Sequence, residues 1–219
     1  LRILASSQDT ALILGDDGWL RTARSRPRGS SGAISIETLG SKTPRVWGLL
    51  DGARAGSVMC VLNSEAVWRS LDDGTTWAEF KFRFPIVVDC SLDECAVGGR
   101  EEVFTLDHAT STLRKVLTAD PDYEVRAVKI YGNTLVVLLG TGSTQKVISI
   151  DLKSGQRSGM EIVKKTEDGL LVGGPGHSDL LLLANDVYQR SQNGWKLIRR
   201  LGPIQPNTSY QPKTPSKQE

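Results

Sequence analysis

The sequence predicts an all-β fold: a β-propeller of about five four-stranded blades, or an arc of a larger propeller. Three observations predict it. Short apolar or alternating runs recur along the chain, broken by clusters of Gly, Asp, Asn and Ser, as in strands joined by turns. No stretch carries a convincing helical period, and the nearest candidate, 161–168, is short and charged. Laid on itself, the chain repeats from unit starts near residues 2, 45, 85, 125 and 168, with about four strands in each unit. A β-sandwich also spaces strands every 8–12 residues or so, but it does not produce similarity at a period of about forty.

The units follow in order. The first, 2–40, reads RILASSQD, TALILGDD, GWLRTARS and, after a loop, AISIETLG. The second, 45–83, reads RVWGLLDG, SVMCVLNS, AVWRSLDD and TTWAEFKF. The third, 85–119, is a looser copy: PIVVDCSL, CAVGGRE, EVFTLDHA and LRKVLTAD. The fourth, 125–165, reads VRAVKIYG, TLVVLLGT, KVISIDLK and GMEIVKKT. The fifth, 168–201, reads GLLVGGPG, DLLLLAND, VYQRSQN and GWKLIRRL. One four-stranded meander is too small to bury its own faces, whereas stacked sheets bury both faces on their neighbours. Small residues near the first two strands let inner strands converge. The fuller runs Leu180–Leu183 and Thr134–Leu139 suit strands buried on both faces. The units make one propeller domain, 1–202, followed by an extended Pro/Ser/Thr/Gln/Lys-rich tail, 203–219.

Composition excludes several classes. The 219 residues carry 27 Lys+Arg against 25 Asp+Glu, a net charge of +2, which fits neither a strongly basic nucleic-acid binder nor an acidic tail. No run of eighteen apolar residues is present, so no membrane-spanning helix is encoded. Residue 1 is Leu and no secretory-type leader is visible, so a processed or partial chain is expected and no compartment is assigned. The three cysteines, Cys60, Cys90 and Cys95, make no disulfide framework. Cys90 and Cys95 flank a short connection and are expected as reduced thiols near a blade core, or as a disulfide if the strand register sets them opposite. Neither His108 nor His177 lies near a cysteine at ligand spacing, so no metal site and no cofactor are expected.

One segment is more specific. Ser70-Leu71-Asp72-Asp73-Gly74-Thr75-Thr76-Trp77 reads S-x-D-x-G-x-T-W. It resembles the Asp-box, or BNR repeat, of sialidases, sortilin-type receptors and photosystem-assembly propellers. The resemblance implies a turn between the third and fourth strands of a blade, on the rim and away from any ligand face. Asp72 suits acceptance of turn amides, Gly74 a positive φ, and Trp77 packing over the hairpin at the outer strand. A shortened copy, Ser191 to Trp195, has Asn193 in place of the Asp. Asp16-Asp17-Gly18-Trp19 falls one turn too early in its unit. The remaining units lack the motif, so the chain reads as a diverged member.

Candidate sites are few. Phe82-Arg83-Phe84-Pro85 resembles the F-R-I-P segment of sialidases, whose arginine binds the substrate carboxylate, so Arg83 is the one position that carries over. It follows an Asp-box here instead of preceding one, and the chain is about half the length a six-bladed sialidase needs. The expectation is that Arg83 sits between two blades and that Pro85 starts the next inner strand. His177-Ser178-Asp179 and His108 read as loop residues, because triad members come from separate elements. The Gly140-Thr141-Gly142 cluster is followed by no helix, so it is no phosphate loop. Arg21, Arg24, Arg26 and Arg28 are expected in a loop that extends from the first unit, either docking an acidic partner surface or a phosphate backbone or simply solvated. They lack the interleaved aromatics of a nucleic-acid site. In the tail, Asn207-Thr208-Ser209 fits a glycosylation sequon and Thr214-Pro215 a proline-directed kinase site.

The expected function is therefore non-enzymatic: a propeller scaffold or assembly subunit that binds other proteins through the arginine segment and the tail. The alternative is a carbohydrate-binding or sialidase-like domain of a longer glycosidase or receptor. A third reading, a photosystem assembly factor, follows from the resemblance alone.

Overall fold

The computed structural model describes residues 2–6, 10–14, 20–25, 34–38, 51–141, 144–163, 169–172, 180–183, 186–191 and 194–200. These residues form five four-stranded antiparallel sheets, each a simple meander in chain order, with no helix among them. The first sheet holds β1 (Arg2–Ser6), β2 (Thr10–Leu14), β3 (Leu20–Ser25) and β4 (Ile34–Thr38). The second holds β5 (Asp51–Ala55), β6 (Val58–Leu62), β7 (Ala66–Ser70) and β8 (Ala78–Lys81). The third holds β9 (Val87–Cys90), β10 (Glu94–Gly98), β11 (Glu102–Asp107) and β12 (Leu113–Thr118). The fourth holds β13 (Glu124–Tyr131), β14 (Thr134–Gly140), β15 (Thr144–Asp151) and β16 (Arg157–Val163). The fifth holds β17 (Gly169–Val172), β18 (Leu180–Leu183), β19 (Asp186–Ser191) and β20 (Gly194–Arg200). Residues 161–163, the start of the nearest helical candidate, thus belong to a strand.

The sheets stack in chain order through their first strands: β1 lies beside β5, β5 beside β9, β9 beside β13, and β13 beside β17. Among the described residues β17 makes no comparable contact with β1, so they form an arc. Packing explains the sequence of the second strands. Every residue of β6, Val-Met-Cys-Val-Leu, is buried, and so is β14 from Leu135 to Gly140. A strand covered on both faces has no polar side, so it reads as a continuous apolar run instead of an alternation. Among the described side chains the fourth strands face water: β8 is exposed at three of its four residues, and β20 from Lys196 to Arg200.

Two apolar clusters fill the seams. One joins Cys60, Leu62 and Val67 of the second sheet to Val88, Cys95 and Leu106 of the third. Phe82 and Phe104 meet edge-to-face there, with centroids 5.0 Å apart. The other joins Ala96, Val103 and Leu117 of the third sheet to Val128, Leu135 and Val137 of the fourth. The second seam is tight. A Cβ on Gly98 would stand 2.8 Å from both Val125 Cγ1 and Val87 Cγ2, so only glycine fits.

Carboxylates tie the first strands together across the seams. Val88 N–H of β9 donates to Asp51 Oδ2 of β5 at 3.0 Å. Ile130 N–H of β13 donates to Asp89 Oδ2 of β9 at 2.8 Å, and Lys129 Nζ donates to Asp89 Oδ1 at 2.7 Å. Burial outweighs the Lys129 charge and these donors, and it holds the Asp89 carboxyl above the usual carboxylate range. Removing Asp89 leaves a partly buried ammonium and a buried amide without their acceptor. Asp89→Ala is expected to cost about 2–4 kcal/mol in urea unfolding, and Asp89→Asn, which keeps an acceptor for Ile130, clearly less.

Candidate functional site

The turns that join first to second and third to fourth strands are knitted together at one end of the arc. Asp73 N donates to Ser57 O at 2.9 Å in the second sheet, His108 N to Asp93 O at 3.0 Å in the third, and Leu152 N to Asn133 O at 2.9 Å in the fourth. In each of these three sheets the outer turn is thus bonded to the inner one. Arginines link neighbouring sheets at the same end. Arg69 of β7 donates through Nη1 to Asp107 O at 2.8 Å and through Nη2 to Ser111 Oγ at 2.7 Å. Arg114 Nη2 of β12 donates to Leu152 O at 3.3 Å.

The S-x-D-x-G-x-T-W segment is the outer turn of the second sheet, between β7 and β8. Gly74 N donates to Ser70 Oγ at 2.8 Å, and Ser70 Oγ donates to Asp72 Oδ1 at 2.8 Å. Thr76 donates through its amide to Asp72 Oδ1 at 2.8 Å and through its hydroxyl to Oδ2 at 2.6 Å. Trp77 Nε1 donates to Gly74 O at 3.0 Å, and its residue immediately precedes β8. Gly74 has φ 87°, and Asp73 before it has φ 60°. Arg54 Nη2 donates to Asp73 Oδ1 at 2.6 Å and so anchors the turn to β5.

The outer turns of the next two sheets are closed by the same chemistry without the full motif. Thr110 donates through both its amide and its hydroxyl to Asp107 Oδ1, at 2.7 and 2.9 Å. Ser154 does the same to Asp151 Oδ1, at 2.7 and 2.8 Å. Sequence reading missed these two carboxylates. The available signal was an Asp followed three residues later by Thr or Ser at the end of a third strand. Donated hydrogen bonds hold all three acids below the usual carboxylate range. For Asp72 the Thr76 hydroxyl acts most strongly, and for Asp107 and Asp151 the amides of Thr110 and Ser154 do.

Between the third and fourth sheets these turns border an open cleft of about 570 Å³, lined by Asp93, Glu94, Asp107, Arg114, Asn133 and Lys153 among others. Glu94 and Asp107 stand opposite each other in the β10–β11 ladder. Burial pushes the Glu94 carboxyl up, against the pull of Arg114. Two leucines project from the same end: Leu71 of the Asp72 turn, 41% exposed, and Leu92 of the β9–β10 hairpin, 70% exposed. The Leu92 hairpin is rigid. Ser91 Oγ accepts from the amides of Asp93 and Glu94 and donates to Glu94 O at 3.0 Å.

At the base of that hairpin Cys90 and Cys95 are directly opposed and joined by a disulfide. This corrects the expectation of two reduced thiols. The register sets both side chains on one face at close range, which the sequence left open. Cys60 remains a free, buried thiol. The other expected residues are placed as follows. Arg21 and Arg24 lie within β3 and not in a loop, because the backbone ladders to β2 and to β4 both run through them as far as Arg24 and Ser25. Arg26 and Arg28, His177, and the tail 203–219 lie outside the described residues. Arg83 sits in the connection between β8 and β9, exposed, with its guanidinium 5.4 Å from the Phe84 ring centroid. Strand alternation puts this connection at the end of the arc opposite the cleft. Pro85 precedes β9, which begins only at Val87. His108 Nε2 lies 3.3 Å from Ser91 O in the turn network, and burial holds its imidazole below the usual range.

Similar arrangements occur among solved structures. The N-terminal domain of Nup159 superposes with a TM-score of 0.54 and 12% identity over 87% of this chain and 60% of that one. The extracellular domain of a hybrid two-component system from Bacteroides thetaiotaomicron gives a TM-score of 0.64 and 9% identity over 93% of this chain and 28% of that one. A prolyl endopeptidase gives a TM-score of 0.59 and 15% identity over 87% of this chain and 33% of that one. The fold is a β-propeller arc. The chain spans less than two thirds of the length of these propellers. No family model and no curated protein matches it.

The turn carboxylates predict a pH dependence. Their folded values lie below the unfolded aspartate value of about 3.9. The stability they contribute is therefore present above that value and lost as pH falls through the folded one. Asp72→Asn is expected to lower thermal stability above about pH 4, by about 1 kcal/mol or less given the solvent exposure. The difference from the parent should shrink as pH is lowered below that point, in melts followed by circular dichroism.

Proposed function

We propose that the chain is a non-enzymatic propeller module that docks a partner protein on the turn end of its second to fourth sheets. The observation that carries this reading is Leu92. A large apolar side chain stands in water at the tip of a hairpin whose base is a disulfide and whose turn is saturated with hydrogen bonds. Such a residue is pre-organised, so little conformational entropy is lost on contact. Its burial by a partner is worth about 1.5–3 kcal/mol. The cleft beside it supplies both signs of charge, which suits a polar rim around an apolar anchor. One of the similar folds was solved in an assembly of dbp5 with nup159 and gle1, a precedent for a propeller-containing chain among protein partners.

The Asp-box-like turn supports membership of a diverged Asp-box lineage, in which that turn stabilises the blade. The arginine segment and the tail are further contact elements in this proposal. The sialidase-like alternative gains nothing from Arg83, because its guanidinium faces the exposed Phe84 ring at the end opposite the cleft.

The test is affinity capture with the full chain as bait, followed by binding measurements on each recovered protein. Leu92→Asp is expected to weaken binding by at least about tenfold, one good apolar contact, with unchanged melting. A partner bound equally by Leu92→Asp and lost on deletion of 203–219 would move the interface to the tail. Sialoside hydrolysis by the parent that is abolished by Arg83→Ala would overturn the non-enzymatic reading.

A further inference from the structure

All three cysteines of the chain meet at one point of the core. Cys60 comes from β6, Cys90 from β9 and Cys95 from β10, and their Sγ atoms lie within 4.8 Å of one another. The point lies in the seam between the second and third sheets. Nothing in the linear spacing suggests it, because Cys60 and Cys90 sit on different blades. No carboxylate or imidazole joins the cluster among the described residues, so the donor set is purely sulfur.

A second observation points to an anion there. Arg69 stands directly opposite Cys60 in the β6–β7 ladder and is 3% exposed. Its two Nη atoms are held by Asp107 O and Ser111 Oγ, but its buried Nε–H has no hydrogen-bond partner among the described residues. The guanidinium lies over the Phe80 ring, 5.1 Å from its centroid, and its unused Nε–H would be matched by a bound thiolate beside it.

We propose that reduction of the Cys90–Cys95 disulfide turns this point into a three-thiolate site for a soft monovalent cation, Cu(I). A soluble dithiol supplies the electrons. Its two S–H bonds are lost as it closes to a cyclic disulfide, the Cys90–Cys95 bond breaks, and each freed sulfur takes one proton. Cu(I) then displaces three thiol protons, one each from Cys60, Cys90 and Cys95. The complex carries a charge of about −2, three thiolates and one cuprous ion, which Arg69 partly offsets. Metal–sulfur bonds of about 2.3 Å place the sulfurs of a trigonal site about 4 Å apart. The present separations need to change by only an ångström or two. Zinc needs a fourth ligand that the cluster does not offer, whereas thiolate-only sets select Cu(I). The oxidised protein has two of its three sulfurs tied up, so the disulfide acts as a lock on the site.

The experiment uses the full chain, reduced by a dithiol and freed of it without air, then titrated with Cu(I) against a chromophoric Cu(I) chelator. Sulfur neighbours are counted by X-ray absorption. The expected result is one Cu(I) per chain with three sulfur neighbours in the reduced protein and none retained by the oxidised protein. Cys60→Ser should retain two sulfurs and bind more than about 100-fold more weakly, beyond what loss of an outer-shell partner does. Circular dichroism checks that this variant folds, and Cys60→Ala replaces it if it does not. The sulfur count on the parent decides the matter without any variant. Two sulfur neighbours in the parent, no copper uptake after reduction, or equal uptake by the oxidised form would overturn the proposal.

Discussion

The carboxylate of Asp89 accepts the amide of Ile130 on the next first strand, just as Asp51 accepts the amide of Val88. The stacking of the sheets depends on this repeated clamp. First strands in separate sheets share no hydrogen-bond ladder, so their edge amides must find side-chain acceptors or water. An acidic residue at the crowded inner seam meets that need and fixes the spacing at which Val87, Val125 and Gly98 pack. The cost is a desolvated acid, visible in the raised Asp89 carboxyl, and the Lys129 ammonium offsets part of it. Once the first strands are fixed, the second strands are covered on both faces and the fourth strands are left to water.

The turn end follows from the same geometry. Meanders stacked in register bring their outer and inner turns within bonding distance, and one backbone hydrogen bond repeats in three successive sheets. Arg69 and Arg114 then bridge sheet to sheet by reaching turn carbonyls. A surface built this way is stiff, so a leucine held out from it is presented and not merely exposed. That difference separates Leu92 from an ordinary surface apolar residue. It is also why the functional reading places binding there and not at Arg83.

Much of the architecture was legible in the sequence because burial writes itself as periodicity. The all-apolar runs of β6 and β14 and the repeat spacing point directly to stacked four-stranded sheets. The Ser70–Trp77 turn was legible because each of its residue types has a separate local task. What was not legible arises between blades. The Cys90–Cys95 bond depends on a register that a five-residue separation does not determine. The convergence of Cys60 on that pair depends on how two sheets stack. Arg21 and Arg24 look like a charged loop because, three residues apart, they lie on opposite faces of β3 and leave no apolar alternation to mark the strand. The turn acids Asp107 and Asp151 lacked the glycine and tryptophan that make the Asp72 turn conspicuous.

The central claim is that second strands are clamped between neighbouring sheets while fourth strands face water. Amide hydrogen exchange on the native chain measures this strand by strand. The account predicts the slowest exchange in Val58–Leu62, Glu94–Gly98 and Thr134–Gly140, and markedly faster exchange in Ala78–Lys81 and Leu113–Thr118. Uniform exchange across each sheet, or fourth strands protected as well as second ones, would contradict it.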